Sequence, residues 1–473
     1  MKLTKKIITT LFVFALLAGT SSLWAQADDE PLSATSEEEL PKNKPVEEGL
    51  TEEKKAEEQA ENLREAIVEN IDVTDEDNEL TKPTEQSEPL EATPESTPAP
   101  ESTTKTEEED KLWFDRLRII PKTMSTLPDY VPGLAGHDWI FFGRAEGEYA
   151  DYSSGRLSDE SGFDVRSLRA GLIKVFYKKA TVKLEVDLTD GDNNWTDLYV
   201  RFNTELGLIT VGNQKIPQSL VNQTSRLART FMEEALPADA FGLGRRVGIG
   251  WDVYKKNFGA QLSAFGGDIN EGKGEPGYGG RFYFNPTRTR FNLVHVGISA
   301  VHEKIDGNAR FRAYPESRVS GKRLVDTQDV QIDNQSIYGL ELAVAKDSYS
   351  LRGESFKAKW DRSSLRDTTF DGYYVQANWA ITGEAFQYKQ GKFLRIRPRG
   401  NRGAWELAVR HSKVDLNDLD VHGGEQKNTT VGINWYSPGN HFKLMGNIIF
   451  VDVDRETRDE DSTIAQVRAQ FNW

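Results

Sequence analysis

Arginine recurs at every second position in three stretches of the sequence. These alternating arginines are Arg310 and Arg312 in NARFRAYPES, Arg288 and Arg290 in TRTRF, and Arg395, Arg397 and Arg399 in RIRPRG. In a β-strand, side chains at positions i and i+2 project to the same face, so each stretch predicts a row of positive charge. The guanidinium group is a planar fork of fixed charge that fits tetrahedral oxyanions such as phosphate. The spacing therefore predicts a surface that binds or conducts anions.

The elements that would position these arginines are β-strands, because a period of two dominates the sequence from Trp113 onward. In ATVKLEVDL, one face carries Val182, Leu184, Val186 and Leu188, and the other carries Thr181, Lys183, Glu185 and Asp187. The segment RVGIGWDV alternates in the same way, and similar segments follow as far as the C-terminus. Each of these segments is expected to be a strand with one apolar and one polar face.

Three features favour a membrane barrel over a soluble β-sandwich. The segments run to about 9–11 residues, the length that crosses a bilayer at a tilt. Their polar faces are charged and rich in glycine, as a water-filled lumen requires. Aromatic residues lie at segment ends, where interfacial girdles occur, namely Trp195, Tyr199, Trp379, Trp435 and Tyr436. Backbone groups in lipid must all be hydrogen-bonded, so the sheet must close into a barrel.

The predicted fold is therefore all-β, a transmembrane antiparallel β-barrel over residues 139–473. At roughly 20–25 residues for each strand and its connections, residues 111–473 accommodate about 14–18 strands, and 16 is the best even number. A barrel of that size leaves an aqueous channel. Residues 111–138 are expected to form a connecting segment.

The N-terminal region predicts export and a linker. Residues 1–27 have the basic, apolar and small-residue parts of a signal peptide, with a cleavage site at Ala25 and Ala27. Residues 28–110 are rich in Glu, Pro and Thr and are expected to be disordered. Within them, residues 51–71 are predicted to form either a transient solvated helix or a short oligomerising coiled coil. Beyond the signal peptide, no apolar run is long enough for a transmembrane helix.

The C-terminal segment TIAQVRAQFNW predicts a final barrel strand with outward aromatic residues. Ala465, Val467, Ala469, Phe471 and Trp473 share one face. Phe471 and the terminal Trp473 resemble the signal that the barrel-assembly machinery recognises in outer-membrane proteins. The sequence therefore indicates the bacterial outer membrane as the location and its lipid as the surroundings of the barrel.

Charge is unevenly distributed along the chain. Residues 28–110 contain 29 acidic and seven basic residues, whereas residues 111–473 contain 46 acidic and 49 basic ones. The predicted barrel is thus slightly basic, although most of its arginines have an acid with which to pair. Such pairing is the alternative to a direct role in ion passage for each of them.

The sequence lacks the residue patterns of an enzyme. It contains six histidines and no cysteine, and no histidine lies in an H-E-x-x-H motif or near a G-x-S-x-G motif. We therefore expect no catalysis, no cofactor, no metal site and no nucleic-acid partner.

Two stretches resemble a known family. TVGNQKIPQSL is similar to the G-Q-x-K-x-P-x-S-L block of the phosphate-selective porin O and P family, and FMEEALPADAFGLGRRVGIG is similar to its F-M-E-R-x-L block. The resemblance extends over 139–473. It departs from the family pattern at Glu234, where the second block usually has Arg, and in the long acidic N-terminus. The resemblance implies a homotrimeric, 16-stranded porin with a constriction loop folded into the lumen.

The resemblance also implies the anion pathway. The family's arginine ladder corresponds to Arg310 and Arg312, with Arg318, Lys322 and Arg323 beyond it. Arg166 and Arg169 match a basic pair on an early strand, and Arg245 and Arg246 follow the constriction segment. We expect an anion-selective channel that prefers phosphate. The alternatives are a non-selective porin, a porin for pyrophosphate or small solutes, and a plugged structural or adhesive barrel.

Overall fold

The computed structural model of the chain describes residues 139–153, 157, 160–176, 179–189, 194–272, 274–289, 291–455 and 460–473. The predicted signal peptide with Ala25 and Ala27, the linker, the helix at 51–71 and the connecting segment lie outside the described residues. Arg290 also lies outside them.

Twenty strands follow one another along the described chain. They are β1 (Trp139–Tyr152), β2 (Gly162–Phe176), β3 (Ala180–Asp187), β4 (Asn194–Thr204), β5 (Gly207–Lys215), β6 (Arg245–Tyr254), β7 (Phe258–Phe265), β8 (Gly277–Arg288), β9 (Asn292–Ala309), β10 (Arg312–Ala313), β11 (Val325–Asp326), β12 (Val330–Lys346), β13 (Tyr349–Asp361), β14 (Thr368–Ala380), β15 (Tyr388–Lys389), β16 (Lys392–Phe393), β17 (Ala404–Asp418), β18 (Val421–Tyr436), β19 (Phe442–Asp454) and β20 (Glu460–Asn472).

Sixteen of these strands form one closed antiparallel barrel, and β10–β11 and β15–β16 are two separate short hairpins. Each barrel strand pairs with the next one along the chain, and β20 returns to pair with β1 from Arg144 opposite Asn472 to Tyr152 opposite Ile464. The terminal Trp473 extends this seam, since its backbone exchanges two hydrogen bonds with Gly143, at 3.1 and 3.2 Å. The predicted 16-stranded barrel is confirmed.

Alternation along the strands places apolar side chains outside and charged ones inside. Ile249, Leu262 and Val467 are each more than half exposed on the outer surface, whereas Glu341 and Arg468 are buried within the barrel. This is the reverse of a water-soluble protein, and it is the distribution that lipid outside and a polar lumen inside require.

Three long loops enter the lumen. Loop 216–244 contains α1 (Leu220–Gln223), a 3₁₀ turn and α2 (Leu236–Phe241). Loop 310–329 contains the hairpin β10–β11, and loop 381–403 contains the hairpin β15–β16. An even number of barrel strands separates the first two loops, so they enter from the same end, and 381–403 enters from the opposite end. No helix in the described part of the chain is long and apolar enough to cross a membrane.

Specific contacts anchor loop 216–244 inside the barrel. The carboxylate of Glu354 on β13 accepts hydrogen bonds from the backbone N–H groups of Leu220 and Val221, at 2.8 and 2.9 Å. At the other end of the loop, the ring of Phe241 meets that of Phe311 edge-on, with centroids 5.0 Å apart. Phe311 in turn stacks on Trp360 of the barrel wall at 4.6 Å. The two loops therefore pack as a unit against the wall.

Deletion of residues 28–110 is expected to leave a folded, conducting barrel, because the strands that close the barrel all lie between Trp139 and Asn472. Folding is measured by the shift in electrophoretic mobility on heating, and conductance in planar bilayers. Loss of the heat-modifiable band would show that the linker is needed for assembly. A change from trimer to monomer alone would support the coiled coil at 51–71.

Candidate ion pathway

A polar cavity of about 420 Å³ lies between loop 216–244 and the part of the barrel wall formed by β1–β7. Its basic lining residues on the wall are Arg144, Arg169, Lys183, Arg201, Lys215 and Arg245. Those on the inward loops are Arg226, Arg229, Arg318 and Lys392. The acidic lining residues are Glu185, Asp197, Asp252, Glu233, Glu234 and Asp239. Ten basic groups against six acidic ones give this lining an excess of positive charge.

A chain of ion pairs runs across the wall of the cavity. Arg245 pairs with Asp197, and Lys183 lies 2.7 Å from the same carboxylate and 3.3 Å from Glu185. Arg169 lies 3.1 Å from Glu185, which is therefore shared between two cations. Because these five residues come from β2, β3, β4 and β6, neighbouring strands assemble the charged surface.

Two further arginines on this wall have hydrogen-bonding capacity to spare. Arg144 reaches Glu185 only at 3.7 Å, and its buried Nε has no hydrogen-bond partner. Arg201 donates a hydrogen bond to Thr210 at 3.0 Å and lies over the ring of Tyr199 at 5.0 Å. Among the described residues, Arg201 forms no ion pair. An anion in the cavity could therefore bind Arg144 and Arg201 without first displacing a carboxylate from a close ion pair.

On the loop side of the cavity, each arginine is paired. Arg226 lies 3.3 Å from Glu146, and Arg229 pairs with Glu234. The departure of Glu234 from the family pattern therefore neutralises a lumenal arginine instead of adding a second positive charge.

Glu233 is the centre of the interactions that hold the loop in place. Arg166 binds its carboxylate through two nitrogens, at 2.7 and 3.0 Å. Arg468 on β20 donates to it at 2.6 Å, and Arg318 from loop 310–329 lies 3.1 Å away. Burial acts to raise the pKa of Glu233, but Arg166, Arg468 and Arg318 outweigh burial and hold that pKa well below its usual range. The carboxylate thus joins two loops and two wall strands as an anion.

Burial has the opposite net effect on Asp239 of α2. It raises the pKa of that carboxyl, although Arg318 and the backbone N–H of Tyr314 favour the charged form. Arg318 pairs with Asp239 while it contacts Glu233, so it links the two inward loops.

Of the arginines and lysines predicted from the sequence, Arg169, Arg245 and Arg318 line the cavity. The others have partners elsewhere. Arg166 binds Glu233, Arg246 lies 3.2 Å from Glu303, and Lys322 pairs with Glu160. Arg288 donates to the carbonyl groups of Lys256 and Tyr388, Arg323 lies over the ring of Tyr314, and Arg395 donates to Asn472. Arg397 is partly buried in loop 381–403.

The ladder of Arg310 and Arg312 lies on the inward loop rather than on a barrel strand. Phe311 is buried, as packing of the loop requires, and the two arginines are directed away from it. Arg310 binds Asp326 through its Nε at 2.7 Å, and Arg312 is exposed next to it on β10. Neither residue is part of the lining of the 420 Å³ cavity.

The third ladder also differs from the prediction of a strand. Arg395 and Arg397 belong to the stretch 394–399, which has no strand structure. Pro398 in this stretch lacks the backbone N–H that a strand ladder needs. The alternating arginines there do not share a sheet face, and Arg395 is buried against the last barrel strand.

The other basic residues that line the cavity belong to no predicted ladder and are Arg144, Lys183, Arg201, Lys215, Arg226, Arg229 and Lys392. A ladder is a repeat along one strand, whereas the wall of the cavity gathers single cations from several strands. For Lys183, alternation along the strand does predict a side chain that points into the lumen, since Lys183 shares the polar face with Glu185. For Arg226 and Arg229, on a loop without a repeat, the sequence offers no such signal.

Comparison with known proteins agrees with this architecture. The family model described as phosphate-selective porin O and P matches residues 136–473. An uncharacterized protein of Caulobacter vibrioides is 29% identical over 339 residues, which cover 66% of this chain and 68% of that protein. Porin O of Pseudomonas aeruginosa is 26% identical over 210 residues, which cover 37% of this chain and 48% of Porin O, about half its length.

Solved porin structures are similar to this chain at low identity. An anion-selective porin from Comamonas acidovorans has 14% identity and a TM-score of 0.48, over 71% of this chain and 99% of that one. OmpT of Vibrio cholerae, in its trimer form, has 11% identity and a TM-score of 0.48, with the same coverage. Similarity at this level does not indicate a shared selectivity. The match of the family model over most of the sequence is what shows that the chain belongs to the phosphate-selective porin O and P family, as a porin of the bacterial outer membrane.

Proposed function

We propose that this porin is an anion-selective diffusion channel that prefers phosphate. The main support for the proposal is the lining of the lumenal cavity, which contains ten basic groups and six acidic ones. Positive charges in a narrow lumen attract anions more strongly than they would in bulk water, because the local dielectric is lower.

The kind of cation supports a preference for phosphate. Most of the basic lining residues are arginines, whose planar fork can donate two parallel hydrogen bonds to one oxyanion. Arg144 has an unused buried donor, and Arg201 has no carboxylate partner among the described residues. Several moderate sites along a pore serve conduction better than one tight site, since a bound ion must also leave.

Homotrimer formation and recognition of the C-terminus by the barrel-assembly machinery are part of the same proposal. An apolar groove of about 890 Å³ on the outer face of the barrel offers a surface for a neighbouring copy. Tyr149 and Phe163 lie on one side of it, and Trp435 and Leu444 lie on the other. Phe471 faces outward on the last strand, where the assembly machinery would meet it.

The wild-type channel is expected to show an anion-selective reversal potential under a KCl gradient in planar bilayers. Addition of phosphate should then reduce the chloride current in a saturable way, because phosphate occupies the arginine-lined cavity longer than chloride does. Cation selectivity, or a chloride current that phosphate leaves unchanged, would contradict the proposal.

Two observations favour the alternatives, and the same recording separates them. Six carboxylates line the cavity, which would suit a weakly selective porin for small solutes. Three loops enter the lumen, which would suit a plugged structural barrel. A weak preference for either ion would indicate the former, and absence of conductance would indicate the latter.

A further inference from the structure

A second, much smaller cavity borders the same loop, 216–244, and shares the lining residues Arg229 and Glu233 with the 420 Å³ cavity. It has a volume of about 30 Å³ and is bounded by that loop, by the wall strands β13, β14 and β17, and by Phe393 of loop 381–403. One water molecule requires at least about 10–15 Å³, so the space suits one water or one halide ion.

Three arginines line this small cavity, and each has a buried Nε–H without a hydrogen-bond partner. They are Arg229 from the loop, Arg352 from β13 and Arg410 from β17. A buried donor left without a partner costs about 1–3 kcal/mol, and more when the group is charged. Three such donors around one space indicate an acceptor that occupies it.

Arg352 is the least compensated of the three. Its guanidinium lies over the ring of Phe393 at 3.5 Å and near that of Phe386 at 5.2 Å, and its exposed fraction is 7%. Within the described part of the chain it has no ion pair. A buried arginine that is stacked only on aromatic rings needs a counter-charge.

The carboxylates near Arg352 are already engaged. Glu354 accepts hydrogen bonds from the N–H groups at the start of α1 and from the hydroxyl of Tyr374. Glu406 accepts from Asn378, Asn434 and Tyr436. Each carboxylate thus directs its oxygens at other donors.

Glu233 is the one acidic residue in the lining of the small cavity. Three arginines that do not line the small cavity bind its carboxylate, namely Arg166, Arg318 and Arg468. Arg410 pairs with Glu316, and Arg229 pairs with Glu234. Arg352 is therefore the one arginine of the three without an ion pair among the described residues. Water would supply an acceptor for its Nε–H, whereas an anion would supply both an acceptor and a counter-charge.

We propose that the small cavity holds one halide-sized monovalent anion, chloride in the cell, bound between Arg352 and Arg410. The ion is a fixed structural ligand and is separate from the conducted ions. Because Arg229 also lines this cavity, the ion joins loop 216–244 to β13 and β17. The inference does not depend on which ion the channel conducts.

Bromide is the probe, because its anomalous scattering distinguishes it from water. Crystals of the purified porin grown in sodium bromide should give an anomalous peak within hydrogen-bonding distance of both Arg352 and Arg410. Water-like density without an anomalous signal would overturn the proposal. So would bromide peaks confined to the outer surface or to the 420 Å³ cavity, since those would be adventitious ions only.

Solution measurements give a second test. In sodium gluconate at constant ionic strength, added chloride or bromide should raise the unfolding temperature in a saturable way, because the halide binds the folded state alone. Arg352→Gln should abolish this rise, whereas the matched control Arg366→Gln, on an exposed turn, should retain it. An equal rise in both variants would contradict the assignment. If Arg352→Gln does not fold, the bromide peak in the wild type still decides.

Discussion

Replacement of Arg169 and Arg245 by Gln in one variant should lower the anion/cation permeability ratio by roughly 5- to 30-fold, because each unit charge contributes on the order of 1 kcal/mol at contact distance in water and about 1.4 kcal/mol is a factor of ten. Both side chains line the 420 Å³ cavity, on β2 and β6. Their loss leaves eight basic groups against six acidic ones and frees part of the negative charge of Asp197 and Glu185 toward the lumen. Reversal potential under a KCl gradient measures the ratio.

The matched control is the double variant Arg366→Gln with Arg402→Gln, in which two exposed arginines outside the cavity lose the same charge. Its ratio should stay close to that of the wild type. Replacement of Arg169 and Arg245 by Lys should keep the ratio but weaken the block by phosphate, since Lys lacks the planar fork. An unchanged ratio in the Gln variant would show that ions pass elsewhere.

The change of Arg310 and Arg312 to Ala gives a useful comparison. From the sequence alone this pair was the leading candidate for the pathway. In the structure Arg310 is paired with Asp326 on an exposed hairpin, outside the lining of the cavity. We therefore expect the double change of Arg310 and Arg312 to Ala to lower the permeability ratio less than the double change of Arg169 and Arg245 to Gln does.

The barrel was predictable because lipid and water impose one rule on every strand. On β20, Gln466 and Arg468 are buried inside and Val467 is exposed outside, as alternation predicts. A slip of one residue would expose every polar side chain to lipid, so the register is strongly determined. The number of strands followed from chain length for the same reason, since each crossing needs a similar number of residues.

The pathway was less predictable because its charges meet across strands and between loops. Lys183 and Asp197 are 14 positions apart, and Arg166 and Glu233 are 67 apart. No period along the sequence connects such pairs. The family resemblance did indicate an inward loop, and both of its most specific blocks border or enter loop 216–244. The role of Glu233 as a shared partner became visible only once the strands were closed.

Glu233→Gln should destabilise the loop by about 3–5 kcal/mol, because removal of one partner from a buried ion pair leaves uncompensated charge. Here Arg166, Arg318 and Arg468 all lose the same carboxylate. The expected result is a lower unfolding temperature and increased open-channel current noise, as loop 216–244 loses a connection to the wall. Current noise separates a mobile loop from a weaker barrel.

The control for this variant is Asp306→Asn, which removes a carboxylate that pairs with Lys304 at 3.5 Å on the surface. At least half of each of these side chains is exposed, so the loss of the pair should cost about 0–1 kcal/mol. Because the folded pKa of Glu233 is depressed, its stabilising contribution is complete above about pH 4.3, the ordinary value for glutamate, and is lost as the pH falls through the folded pKa. The difference in stability between the wild type and Glu233→Gln should therefore be constant at neutral pH and shrink only in acid. If Glu233→Gln is as stable as the control variant at pH 7 and its current noise is unchanged, Arg166, Arg318 and Arg468 do not depend on Glu233 to hold the loop.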